Sequence, residues 1–157
     1  MVPLSQQDAG QWDYARIEQA RRLMDRAAQA ARSGPYQVMA AIQLTHARRA
    51  FDGTVDWGAV LRLYDVLLAL RPSPMVALSR ALALAQTDGA EAGLAAVAEL
   101  PADRLALARP FHVARADLLA RAGRAEEAQA ALNAALALDP PKAERLWLEK
   151  RRAALEF

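Results

Sequence analysis

The stretch LYDVLLALRPSP, Leu63 to Pro74, aligns with ALNAALALDPPK, Ala131 to Lys142, at an offset of 68 residues. In both, leucines and alanines recur with a helical period until proline closes the run. A partial copy, GLAAVAELP from Gly93 to Pro101, lies near the midpoint and stops a few residues early. The last copy carries the fullest pattern: Ala116, Leu119, Gly123, Ala128, Leu132, Ala135 and Pro140 read as small, large, turn, small, large, small and breaker. Small side chains let paired helices approach closely, and large ones fill the space between them. Proline ends the second helix because it lacks an amide hydrogen and clashes with the preceding turn. A chain with this repeat is constrained to stack helix hairpins, since one hairpin alone leaves an apolar face in water.

The 68-residue offset is twice the roughly 34-residue period of tetratricopeptide repeats. It predicts an all-α fold, a tetratricopeptide-like array of antiparallel helix pairs (an α-α superhelix) of about eight helices, forming a single domain over residues 1–157. Composition agrees, because 39 alanines among 157 residues favour the conformation in which Ala loses least side-chain entropy. No window alternates apolar and polar residues long enough to predict a strand. Asp8, with Gln11 three residues on, predicts the cap of a first helix whose stripe is Ile17, Ala20, Met24, Ala27 and Ala31, stopped by Gly34. Pro35 opens a second helix, Asp56 caps a third running to about Leu70, and Ser73 caps a fourth that starts at Pro74. Asp88 and Glu91 predict a capping box for a short helix ending at Pro101, and a helix after Pro110 ends at Gly123. Two more are expected from Arg124 to Leu138 and from Pro141 to Glu156.

The length is enough for a hydrophobic core without disulfide or metal. The absence of cysteine fits a reducing compartment, and no basic segment followed by an apolar run opens the chain. The longest charge-free run, Ser33 to Ala47, has 15 residues and is too short to span a bilayer. A cytoplasmic protein with no membrane contact is expected. The net charge is +2, with 20 basic residues interspersed among 18 acidic ones, rather than the one-sided patch of a nucleic-acid domain. The pairs Arg21-Arg22, Arg48-Arg49 and Arg151-Arg152 read as solvated helix faces, and aromatics are too sparse for a stacking platform. Direct nucleic-acid binding is therefore not expected.

Motifs that carry chemistry are missing. His46 and His112 stand 66 residues apart, with no cysteine and no HExxH arrangement. No GxSxG elbow, P-loop or GxGxxG occurs, and Ser5, Ser33, Ser73 and Ser79 have no histidine nearby in sequence. Glu126 and Glu127 are adjacent on a helix and diverge, so they read as the solvated first turn rather than a catalytic pair. The expectation is a protein that is not an enzyme and holds no metal or cofactor.

Polar residues inside apolar helices are the sharper signal. Tyr36, Gln37, His46, Tyr64, Asp65, Arg80, His112 and Arg115 all lie in segments rich in Leu, Val and Ala. Burying one unpaired costs on the order of 1–3 kcal/mol, so each needs an internal partner or a place on a groove. They are the candidates for an internal polar network, with Asp65 and Arg80 as one pair, or for a concave groove that takes a protein segment. The charge-free helix opened by Gly34-Pro35 is expected to be covered on every side.

Five segments in order also resemble a known family: GPYQVMAAIQLTHA (Gly34 to Ala47), VDW (Val55 to Trp57), LYD (Leu63 to Asp65), SPMVALSRALALA from Ser73, and HVARADLLARAGR (His112 to Arg124). Together they resemble the C-terminal tetratricopeptide-like extension of bacterial extracytoplasmic-function RNA polymerase sigma factors, of the sigma-70 family, over about Gln11 to Leu155. Two departures are Ser79, where that family usually has asparagine, and the loop RRAFDGTVDW, which is shorter and less acidic. The resemblance implies a regulatory module that acts through protein contacts, with sigma-factor domains, RNA polymerase or a separate regulator as partner. It implies no promoter or polymerase binding of the usual sigma kind, because nothing in the 157 residues resembles the promoter-binding helices. An excised domain, a truncated product or a free-standing relative would each fit. Two other readings are a free-standing tetratricopeptide scaffold or adaptor, and a small-molecule sensor with Gln37, His46 and Arg115 around a closed cavity.

Overall fold

The computed structural model describes residues 7–29 and 34–155, and among them there are helices and no strand. The fold is all-α, an array of helices paired with their sequence neighbours. Clustering of contacts divides the chain into two compact units, residues 2–76 and 77–157.

In the first unit a 3-10 turn, Ala9–Gln11, precedes α1 (Tyr14–Gln29), α2 (Pro35–Ala47), α3 (Arg49–Asp52) and α4 (Trp57–Leu70). Asp8 caps the 3-10 turn and not a long helix: its carboxylate accepts the Gly10 amide at 2.9 Å. The long helix begins six residues later, where the Asp13 carboxylate accepts the Arg16 amide at 3.0 Å. Gly10, a poor residue for an α-helix interior, lies in the 3-10 turn, and the chain is extended at Trp12 before the long helix begins. Ala31, the last position of the stripe expected for that helix, lies outside the described residues, as do Ser5, Ser33 and Glu156. Asp56 does cap α4, accepting the Ala59 amide at 2.8 Å. The core of this unit is Val38 and Ile42 of α2 against Leu67 of α4, with Leu63, Tyr64 and Val76 alongside.

The second unit takes most of α5 (Pro74–Thr87), then α6 (Ala90–Ala98), α7 (Ala102–Leu105), α8 (Arg109–Arg121), α9 (Ala125–Ala137) and α10 (Lys142–Ala153). The residues that defined the last repeat are its packing. Ala116, Leu119, Ala128, Leu132 and Ala135 are each 1% exposed or less and form one cluster with Ala131 and Leu148. Gly123 has φ +75° and turns the chain between α8 and α9. The Arg124 amide donates to the Leu119 carbonyl at 2.9 Å and the Gly123 amide to Ala120 at 3.1 Å. This paired closure of a helix end needs a left-handed residue, and glycine adopts that conformation without a Cβ penalty. A second cluster joins Leu78, Ala81 and Ala85 of α5 to Val97, Leu105, Phe111, Ala114 and Leu118.

Gly89, with φ +93°, is the N-cap of α6, with no side-chain hydrogen bond. The Asp88-Glu91 box expected there is replaced because the Asp88 amide still donates to the Leu84 carbonyl at 2.8 Å, so Asp88 closes α5. The four-residue helices α3 and α7 were not expected, being too short to show a period.

At Gly93 α6 comes very close to α5. A Cβ placed there would lie 2.6 Å from the Ala85 Cβ and 3.1 Å from the Ala81 carbonyl. Gly58, in the first turn of α4, has its nearest neighbour at 3.4 Å, the end of the flexible Arg62 side chain. Replacing a helical glycine with alanine ordinarily stabilises by about 0.5–1 kcal/mol. Urea unfolding is expected to show that gain for Gly58→Ala and a loss of about 1–3 kcal/mol for Gly93→Ala, because overpacking outweighs propensity there.

Candidate functional site

In the first unit α1, α2 and α3 leave a cleft of about 590 Å³. Ile17 and Met24 of α1, Ala41 and Leu44 of α2, and Phe51 of α3 give it an apolar floor. Their positions follow from helical spacing, which brings Ile17 and Met24, and Ala41 and Leu44, onto single faces. Charged residues rim it: Glu18, Arg21, Asp25, Arg48 and Asp52. The Arg21 guanidinium donates to Glu18 at 2.9 and 2.8 Å and to Asp25 at 2.7 Å. Arg22 also donates to Glu18, at 3.2 Å. The Arg21 hydrogen bond first, and the Arg22 bond second, bring the Glu18 carboxyl down to about 2. Arg48 donates to Asp52 at 3.1 Å. The rim is thus charged but internally compensated, while the floor is apolar and open, with Phe51 54% exposed.

A shallower cleft lies along the α1 start and the α2 end, lined by Trp12, Arg16, Gln43 and His46 among others. The His46 ring meets Trp57, the first residue of α4, edge to face at 5.2 Å. Its Nδ1 is buried without a protein hydrogen-bond partner. Position in the last turn of α2 favours a cation there, but burial opposes it and pushes the imidazole pKa down.

The eight polar candidates divide between the units, with Tyr36, Gln37, His46, Tyr64 and Asp65 in the first and Arg80, His112 and Arg115 in the second. Among the described residues no polar or charged residue is fully buried. Tyr36 is 76% exposed, and Asp65 and Arg115 are also exposed. These three sit on outer helix faces, which a count of apolar neighbours in sequence does not reveal. Gln37 has a structural role: its carbonyl accepts the Gly34 amide at 2.8 Å and its amide donates to the Ala27 carbonyl at 3.1 Å, tying α2 to α1. His112 hydrogen-bonds through Nε2 to the Ala106 carbonyl at 2.8 Å. Tyr64, Asp65 and Arg80 each engage a neighbouring group.

The charge-free helix α2 is not covered on every side. Val38 and Ile42 are buried, but Met39 is 44% exposed and Gln43 also faces solvent. Helices α1 and α4 flank α2, and the face carrying Tyr36, Met39 and Gln43 is left open.

Of the Arg pairs read as solvated faces, Arg21-Arg22 and Arg48 are exposed as expected, while Arg151-Arg152 proves more specific. Arg151 pairs with Asp117 and stacks at 5.5 Å over the Trp147 ring, and Arg152 donates to the Asn133 side chain at 2.9 Å. Arg121, which also pairs with Asp117, donates to the Ala85 carbonyl at 2.8 Å, so α5, α8 and α10 share one polar clamp. An Asp117 four residues before Arg121 was visible in the sequence, but the partners on α5 and α10 come only with the fold.

No family model matches the chain, and no solved structure matches it. A protein of Rhizobium meliloti (strain 1021), described as uncharacterized, is 38% identical over 148 residues, which cover 94% of this chain and 35% of that protein. The chain therefore spans about a third of the length of this relative. Among the described residues no helix is long and apolar enough to cross a membrane.

A histidine whose folded pKa lies below its ordinary value, near 6.5, binds fewer protons folded than unfolded, so stability falls as pH drops through that interval. The urea midpoint is expected to decline between about pH 7.5 and pH 5, with the His46 share of the decline absent in a His46→Leu chain. Parallel pH profiles for the two chains would contradict the burial of this imidazole.

Proposed function

We propose that the chain is a protein-interaction module and not a catalyst, a regulatory segment of the kind that extends extracytoplasmic-function sigma factors and modulates transcription initiation. The observation that carries the interaction reading is the concentration of exposed apolar side chains in the first unit. Tyr36, Met39, Phe51, Val66, Leu70 and Met75 are each between 38% and 76% exposed. Contiguous exposed apolar surface is favoured at sites that another protein covers, and Phe51 belongs to such a surface. The cleft between α1, α2 and α3 adds an apolar floor within a polar rim, the arrangement found in many contact surfaces.

The transcriptional part rests on the order of the five segments quoted above, four of which fall on α2, α4, α5 and α8. A tetratricopeptide-type array suits such a role, because stacked hairpins offer an extended surface. The relative's greater length supports a segment that works alongside other domains. The partner in this reading is a polypeptide, namely the promoter-reading domains, RNA polymerase or a regulator, in the cytoplasm.

The test uses the full-length Rhizobium relative and a version lacking the 148-residue matching region, each added to core RNA polymerase in a promoter-dependent transcription assay. The reading predicts that the full-length chain programs the polymerase and that deletion changes transcription by about tenfold. No stimulation by either chain, or equal stimulation by both, would overturn it.

A further inference from the structure

Helix α1 differs from the other long helices in how it is held. Among its described residues none is fully buried, whereas α2 buries Val38 and Ile42, and α4 buries Val60 and Leu67. Its apolar residues Ile17 and Met24 face the cleft of about 590 Å³ and so leave space unfilled beneath the helix. Contacts across such a gap lose most of their dispersion energy.

Its polar interactions point the same way. Arg21 joins Glu18 and Asp25, Arg22 joins Glu18, and Arg16 joins Asp13, all within one or two turns of the same segment. Pairs of this spacing support the helix itself and do not attach it to anything. Besides the partial packing of Ile17 and Met24, two side-chain clips described near its ends attach it. At the start, the Tyr14 hydroxyl donates to the Ala50 carbonyl at 3.2 Å, and its ring meets Phe51 edge to face at 5.2 Å. At the other end, the Gln37 amide donates to the Ala27 carbonyl at 3.1 Å.

We infer that α1 is a detachable latch, which lifts from α2 and α3 as a unit while the rest of the first unit stays folded, and so uncovers the apolar surface of Ala41, Leu44 and Phe51. The closed position hides part of the apolar floor, and the open position enlarges it. Opening is governed mainly by the Tyr14 and Gln37 clips, since the ion pairs within α1 are kept in both positions. This inference does not depend on the transcriptional reading, because it concerns only how α1 is seated.

Hydrogen exchange of the whole chain, followed by mass spectrometry, tests it. Amides of α1 are expected to exchange at least about tenfold faster than the interior amides of α2 and α4, as local opening below the global unfolding energy requires. Tyr14→Ala removes a clip and is expected to speed α1 further, leaving α4 unchanged. Tyr36→Ala, on the open face of α2, serves as the control and is expected to leave α1 as it was. Exchange of α1 in step with α2 and α4 would overturn the inference. So would a Tyr14→Ala chain in which α1 is unchanged, or in which all three helices speed up alike.

Discussion

Everything in the second unit depends on how closely two helices can approach. Ala116 and Leu119 of α8 meet Ala128, Leu132 and Ala135 of α9, and all five are essentially without solvent contact. Where a small residue faces a large one, the axes draw together and the large side chain fills the space this leaves. Gly93 shows the extreme case, since α5 and α6 are so near that even a methyl group there would collide with Ala85. The alanine-rich composition is therefore more than helix propensity, because alanine at the facing positions sets the distance. The first unit is built less tightly, with a core of Val38, Ile42 and Leu67 and a helix, α1, that buries nothing completely. That difference is what leaves apolar surface exposed there.

Much of this was legible in the sequence where local chemistry fixes the outcome. The Pro35 start of α2, the Asp56 cap of α4, the Pro74 start of α5 and the Gly123 turn all come from single residues whose backbone preferences admit few alternatives. The small and large positions of α8 and α9 were legible for the same reason, being spaced by helical geometry. What escaped depended on comparing near-equal local choices. Asp8 and Asp13 both suit a helix cap, and the interruption around Gly10 decides for Asp13. Asp88 suits a cap too, but its amide goes to closing α5.

The polar candidates were less legible because sequence gives the neighbours along a helix and not across it. Tyr36 lies between apolar residues and yet faces solvent. Gln37 was singled out for an internal polar network or a groove, a choice its sequence neighbours leave open, and its side chain joins α2 to α1. The Asp117 clamp draws on three helices far apart in the chain, which no window of sequence contains. The cleft formed by Ile17, Met24, Leu44 and Phe51 escaped notice for a related reason. Each of these residues suits a core position, and only the gap between α1 and its neighbours makes them a surface.

The most direct measurement compares two leucine substitutions on α9 by urea unfolding. Ala128 is fully buried against α8, and Ala130, two residues on, is exposed. If close approach through small residues holds these helices together, Ala128→Leu loses about 1–3 kcal/mol through overpacking, and Ala130→Leu stays within about 0.5 kcal/mol of the parent chain. An Ala128→Leu chain as stable as the parent, or more stable, would mean that α8 and α9 are not held at the distance their alanines set.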